Sequence, residues 1–366
     1  MIIGDLCKYA PKSSIKAGEA EIDGKYMFFT SSTDENKRYS DFQLDCEGII
    51  MGTGGNATLH YYNGKFSTST DCVVLLPNDK IRCKYLYYFF LHNMPLLQAG
   101  FKGAGLKHTN KNYINNITIS SLPTIQTQDE TINVLDKVSN IISSHQQQLQ
   151  KLDELVKSRF IELFGDPATP GEKFKTSKLG EVADVKSSHR VFTTEFVDEG
   201  VPFYRGTEIG ALASGQQPEN PYRISMEHYL KIASDDSKPK RGDLLLPSIC
   251  NKGQIWMVDT DEPFYYKDGR VLCISPVRSV FDSRYLQFYM KIRTEAEYPK
   301  LGSGSTFAEF KIFQLKELEV DIPPINAQKE FNLFADQVDK SKFEIKKSIE
   351  NISELIKSLM QQDFTN

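Results

Sequence analysis

The sequence predicts an α+β fold: two β-rich domains separated by a pair of long antiparallel coiled-coil helices, arranged as an internal pseudo-two-fold repeat. Three observations predict it. Segments recur at an offset of 200 residues: "YLYYFF" at Tyr85 and "YLQFYM" at Tyr285, "LPTIQTQDE" at Leu122 and "IPPINAQKE" at Ile322, Phe164 and Phe364. Each copy closes with a long polar stretch whose aliphatic residues alternate in steps of three and four, which is a heptad seam. The front of each copy is a series of short apolar or β-branched runs bounded by turn residues. A period this long is a domain duplication, not a solenoid.

The first domain spans 1–123. "EGIIMG" and "DCVVLLPND" read as strands, and "ATLHYYNGKFSTST" reads as a hairpin turning at Asn63-Gly64 between aromatic residues. "KYLYYFFLHNM" fits a short helix with one aromatic face. The central helix spans 124–165. Neither Gly nor Pro occurs from Gln128 to Phe164, and Leu135, Val138, Ile142, His145, Leu149, Leu152 and Val156 form the seam. About 37 residues at 1.5 Å each make a helix of roughly 55 Å. Gly165 followed by Asp166-Pro167 is a stop signal, and 166–173 is the linker.

The second domain spans 174–323. "LGEVADVK" at Leu179 pairs with "IGDLCKYA" at Ile3 at an offset of 176, so the front of this copy is 24 residues longer. "GDLLLP" and "GRVLCISPV" read as strands. "QIWMVDTDEPFYYKDGRVLCIS" repeats the hairpin shape with a longer turn, and "SRYLQFYMKI" repeats the aromatic helix. The last helix spans 324–366. Its seam runs through Phe331, Phe334, Val338, Ser341, Ile345, Ser348, Ile352, Leu355 and Leu359, widened by Ile349 and Ile356. Both helices are too polar to be buried on all sides, so each stripe needs one partner. Chain geometry favours an antiparallel pair, because the first helix ends where the second domain begins and the second helix starts where it ends. The domains are then expected at opposite ends of a rigid rod.

Composition bounds the class. Of 366 residues, 40% are hydrophobic and 25% charged, as in soluble proteins. No apolar run approaches a membrane span and the start lacks a signal-peptide pattern, so a cytoplasmic location is expected. The six cysteines, Cys7, Cys46, Cys72, Cys83, Cys250 and Cys273, form no Cys-x-x-Cys pair, which argues against zinc and against a disulfide framework. No metal or cofactor is expected. A net charge of −4 neither advertises nor excludes nucleic acid, since phosphates respond to local basic patches.

A variable domain followed by a long helix, stated twice, resembles the DNA-specificity subunit of type I restriction-modification systems. "SLPTIQTQDETINVLDKV" and "DIPPINAQKEFNLFADQV" look like that family's entry into its conserved helices, and "QQQLQKLDELVKSRFIELFGDP" like its helix end and exit. "VPFYRGTEI", "RGDLLLPSI" and the "GAG" and "GSG" turns resemble motifs of its target-recognition domains. "VPFYRG" lacks a clean counterpart in the first copy, where "KYMFFTSS" stands roughly in its place. The resemblance implies a non-enzymatic subunit that binds double-stranded DNA. Each target-recognition domain would read half of a bipartite site, and the helices would set the unread spacer. Two modification (methyltransferase) subunits would dock on the helices, with restriction-translocase subunits joining and no membrane involved. Fittingly, there is no Asn-Pro-Pro-Tyr-like motif, no G-x-x-x-x-G-K-[ST] loop and no H-E-x-x-H. The alternative is a coiled-coil scaffold whose two β-rich domains bind protein or a small ligand and not DNA; steep salt dependence of DNA binding separates the two.

Readers of DNA place basic and polar side chains on loops. In the first copy, "FKGAGLKHTNKN" offers Lys102, Lys107, His108 and Lys111 with no acid nearby, and "GTGGNAT" offers Thr53 and Asn56. The second copy offers Tyr204 and Arg205 in "FYRGTEI", Asn251 and Lys252 in "SICNKGQ", Arg270, and Ser303, Ser305 and Thr306 around "GSGST". The bland reading of each is a solvated turn or an exposed strand residue. His145 reads as a packed helix residue and Trp256 as core. Helix pairing is assigned to Leu135, Val138, Ile142, Leu149, Leu152 and Val156 on one helix. Phe334, Val338, Ile345, Ile352 and Leu359 take that role on the other.

Overall fold

A computed structural model describes residues 1–105, 107–235, 237–301 and 308–364. The chain divides into two compact units, Met1–Gln148 with Glu344–Asn366, and Leu149–Phe343.

The first unit opens with a one-turn helix α1 (Ile3–Leu6) and strands β1 (Cys7–Tyr9), β2 (Tyr26–Phe29), β3 (Arg38–Tyr39), β4 (Leu44–Gly52), β5 (Leu59–Thr68) and β6 (Cys72–Pro77). Helices α2 (Cys83–His92), α3 (Met94–Ala99) and α4 (Lys111–Asn115) follow, and then the long α5 (Ile125–Phe164) begins. The strands form one sheet in the order β1-β6-β4-β5-β2-β3. The hairpin expected at Asn63-Gly64 does not form: β5 runs straight through it, with Asn63 opposite Glu47 and Gly64 opposite Cys46. The reason is tertiary. β4 pairs with β5 from Leu59 to Phe66 and β2 continues from Phe66 to Thr68, so the continuous ladder outweighs a local turn preference. Gly64 takes a φ of 137° inside the strand, which a side chain would resist.

The second unit contains β7 (Thr176–Lys178), α6 (Leu179–Val182), β8 (Ala183–Lys186), β9 (Phe196–Val197), β10 (Val201–Tyr204), α7 (Gly206–Ala213), β11 (Tyr222–Ile224) and α8 (Met226–Ile232). It continues with β12 (Leu244–Pro247), β13 (Trp256–Met257), β14 (Tyr265–Tyr266), β15 (Val271–Pro276), α9 (Ser283–Glu297), α10 (Ile312–Glu317), β16 (Glu319–Asp321) and the start of α11 (Ile325–Phe364). Here the strands split into β14-β10-β11-β9, β13-β12-β15-β8 and the pair β16-β7. The second expected hairpin is also absent, because β13 and β14 join different sheets. Together they occupy the place that the single long β5 fills in the first unit. The "KYMFFTSS" stretch has its counterpart after all: β2 pairs parallel with β5 as β10 pairs parallel with β14. The extra length of the second copy lies in the connections that carry α7 and α8.

The same side-chain devices hold both copies together. Gln128 is fully buried; its amide donates to the carbonyls of Lys80 (3.2 Å) and Pro123 (2.9 Å), and its oxygen accepts from Arg82 N (2.8 Å). Gln328 repeats this with Val280 O (2.9 Å), Pro323 O (2.8 Å) and Asp282 N (2.9 Å). Each glutamine thus ties the first turn of a long helix to the loop that starts an aromatic helix, satisfying buried backbone groups that would otherwise be orphaned.

In the first unit the start of α5 meets the end of α11. Leu135 (1% exposed), Ile356, Leu359, Met360 and Phe364 share one core with Tyr85 and Phe89, and Thr131 donates to Asp363 (3.3 Å). In the second unit the end of α5 meets the start of α11. Phe160 lies 5.1 Å from Phe331, and Asp153 pairs with Lys342. Partners on α11 fall in number as those on α5 rise, so the pairing is antiparallel. The seam on α11 is wider than a strict alternation. Ser341 and Leu355 are exposed, while Lys342 is half-buried and salt-bridged.

Candidate nucleic-acid interface

In the first unit the two glycine-rich stretches come together. Thr109 N donates to Thr53 O (3.0 Å), Gly55 N donates to Lys107 O (2.8 Å), and Lys102 and His108 exchange backbone hydrogen bonds of 3.0 Å. Thr53 is a structural pin, its backbone N (2.8 Å) and its hydroxyl (2.9 Å) both donating to Asp71 O. Asn56, Lys102, Lys107, His108 and Lys111 are all exposed around this stitch. Beside it lies a cavity of about 240 Å³ lined by Lys12, Thr53, Thr70, Thr109, Asn110 and Lys111. The Lys111 ammonium sits 4.5 Å above the Tyr9 ring. Burial, with Cys7 nearby, pushes the Tyr9 phenol up to about 12, so that ring stays neutral.

In the second unit Arg205, Thr207, Ser248, Gln254, Lys267 and Arg270 line a cleft of about 630 Å³. Arg205 opens α7. Its backbone N donates to Glu208 Oε2 (2.8 Å), its Nη2 donates to Oε1 (2.7 Å), and its guanidinium lies 4.6 Å over the Tyr222 ring. Burial works to raise the Glu208 carboxyl, but the hydrogen bonds from Arg205 win and hold it below the ordinary range. Lys267 pairs with Asp268 (3.6 Å), and Arg270 pairs with Glu309. Asn251 and Lys252 are exposed on the adjoining loop, where Lys252 N donates to the Gln254 side chain (3.1 Å). Tyr204 does not line the cleft; it is half-buried and stacks on Phe264 at 5.2 Å. Ser303, Ser305 and Thr306 lie outside the described residues.

Of the seam residues, Leu135, Val156 and Val338 are buried. Val138, Ile142, Leu149, Leu152, Phe334, Ile345, Ile352 and Leu359 are half-buried, as is His145. Trp256 is 5% exposed in the core around β12 and β15. The sequence reading missed Lys12, Thr207, Glu208 and Lys267. Glu208 lies three residues after Arg205, the i,i+3 spacing at which the two charges meet on α7. Lys12 carried no signal, being far in sequence from the loops it joins.

Two copies of a β-rich domain, each followed by a 40-residue helix and each presenting polar loops, define a duplicated recognition module. Residues 1–154 and 171–354 match the model of the type I restriction modification DNA specificity domain, and the chain belongs to that family. It is 25% identical over 360 residues to the type I restriction enzyme MjaVIII specificity subunit of Methanocaldococcus jannaschii, covering 89% of this chain and 82% of that protein. A putative type I specificity subunit from Mycoplasma pneumoniae is 22% identical over 319 residues, covering 84% and 79%. The crystal structure of the type I restriction-modification system S subunit from M. genitalium shares the fold with a TM-score of 0.62 at 14% identity, covering 100% of this chain and 96% of that one. A chain solved in work on complex assembly and conformational transition of the type I R-M system gives 0.58 at 16% identity, covering 100% and 97%. Among the described residues, no helix is long and apolar enough to cross a membrane.

Proposed function

We propose that this chain is the sequence-specific DNA-binding subunit of a type I restriction-modification complex. Each recognition domain reads one half of a bipartite duplex target. The paired helices set the unread spacer and dock two modification (methyltransferase) subunits, and restriction-translocase subunits complete the assembly. The chain performs no catalysis itself and works in the cytoplasm. The observation that carries this reading is the duplication of domain and helix with identical internal fastenings, Gln128 and Gln328 above all. Two equivalent readers on one chain suit two half-sites on a duplex.

The test is domain replacement in the assembled complex. Exchange of residues 1–123 for the same domain of a relative changes one half-site of the methylated target and leaves the other half-site and the spacer as they were. Simultaneous change of both half-sites sinks the modular reading.

A further inference from the structure

The two domains are electrostatically unlike. Residues 1–123 carry 13 Lys and Arg against 11 Asp and Glu, whereas residues 174–323 carry 20 against 22. The difference is sharper at the loops. In the second domain each cation lining the cleft already faces a carboxylate: Arg205 with Glu208, Lys267 with Asp268, and Arg270 with Glu309. Such a cleft is near neutral and has little charge left for a phosphate. In the first domain Lys12, Lys102, Lys107 and Lys111 have no carboxylate partner among the described residues. Lys12 and Lys111 border one cavity with Thr53 and Thr109, and the buried Thr109 hydroxyl has no hydrogen-bond partner among the described residues. The Lys12 ammonium and the Lys111 ammonium, the latter resting on the Tyr9 ring, give the rim of this recess two positive charges that a phosphate can meet.

We propose that the first domain supplies the salt-sensitive grip on the DNA backbone. A phosphate sits at the rim formed by Lys12 and Lys111, while the second domain's cleft contributes little to phosphate neutralisation. This deepens the DNA-binding reading and rests on it. Nucleic-acid phosphate contacts release condensed counterions, so each one steepens the fall of affinity with salt by roughly 0.9 in the log–log slope. Contacts to base edges do not.

The experiment uses the chain assembled with its modification subunits and a duplex carrying the methylated target, with affinity measured across a salt series. The double variant Lys12→Gln/Lys111→Gln is expected to flatten the slope by roughly 0.9, the share of one phosphate. It weakens binding to all sequences alike and leaves both half-sites unchanged, whereas Lys12→Arg/Lys111→Arg keeps the slope. Arg270→Gln in the second domain moves the slope by well under one. All three positions are exposed, so the variants fold. An unchanged slope in the Lys-to-Gln variant, relaxed reading of one base pair, or an equal flattening by Arg270→Gln overturns the proposal. If the unsubstituted complex shows no target binding at all, the DNA-binding reading itself fails, a result distinct from those three.

Discussion

Gln128 and Gln328 show how much one side chain can hold. Each meets three backbone partners from a fully buried position. Gln128→Ala leaves the Arg82 amide and the Lys80 and Pro123 carbonyls unsatisfied, a loss of about 1–3 kcal/mol for each group that stays dry. Chemical denaturation of the purified chain is expected to show a lower midpoint with an unchanged slope. The repeat of glutamine at both positions was visible in the sequence, but its work was not, because its partners are backbone groups of a loop some 46–48 residues away. Cysteine is the other residue-scale case. Burial pushes the Cys250 thiol up to about 11 and those of Cys7 and Cys273 up to about 12, and only Cys46 is half-exposed. The thiolate is the reactive form, so raised values depress reactivity until the pH approaches them. Timed alkylation at pH 8 is expected to label Cys46 first in the native protein and all six thiols only after unfolding.

At the scale of elements, the long helices were the most legible part. Their period, the stop at Gly165 and the absence of interior breakers are local signals, and the chain forms two 40-residue helices where those signals lie. Gly165 takes a φ of 85°, as a helix-terminating residue does. The strands were legible as runs but not in their pairing. Asn63-Gly64 carries a turn signature, yet the chain turns earlier, between β4 and β5, and the β4 ladder takes Asn63 and Gly64 as mid-strand residues. The phase of the α11 seam also escaped, because the aliphatic stem of Lys342 packs at the seam while its ammonium reaches Asp153. This yields a graded prediction. Leu135→Ala, at a site 1% exposed, destabilises by about 2–5 kcal/mol, whereas Leu355→Ala, at a site 51% exposed, shifts stability by no more than about 0.5 kcal/mol; thermal unfolding of the two variants separates these outcomes.

For the whole molecule, the duplicated plan was legible because duplication leaves repeated residues at fixed offsets. The binding surfaces were only partly so. Loops at 53–56 and 102–111 were each singled out, but that they are stitched together, and that Lys12 joins them, depends on folding. In the second domain, likewise, Arg205 and Arg270 were expected as DNA contacts, and the fold pairs each with a carboxylate. On the proposed function, inserting equal whole turns into α5 and α11 lengthens the unread spacer of the methylated target and leaves both half-sites intact; methylome sequencing reads both at once.

Phe364 packs 5.0 Å from Tyr85, and Asn93 donates to its carbonyl at 3.2 Å. The core around Tyr85 is therefore closed by a ring that lies far along the chain. During synthesis the ribosome delivers the ring of Tyr85 long before the ring that covers it, and a nascent chain interrupted anywhere in between carries an unfinished aromatic surface. Any chain cut short of Phe364 leaves the Tyr85 ring without that cover.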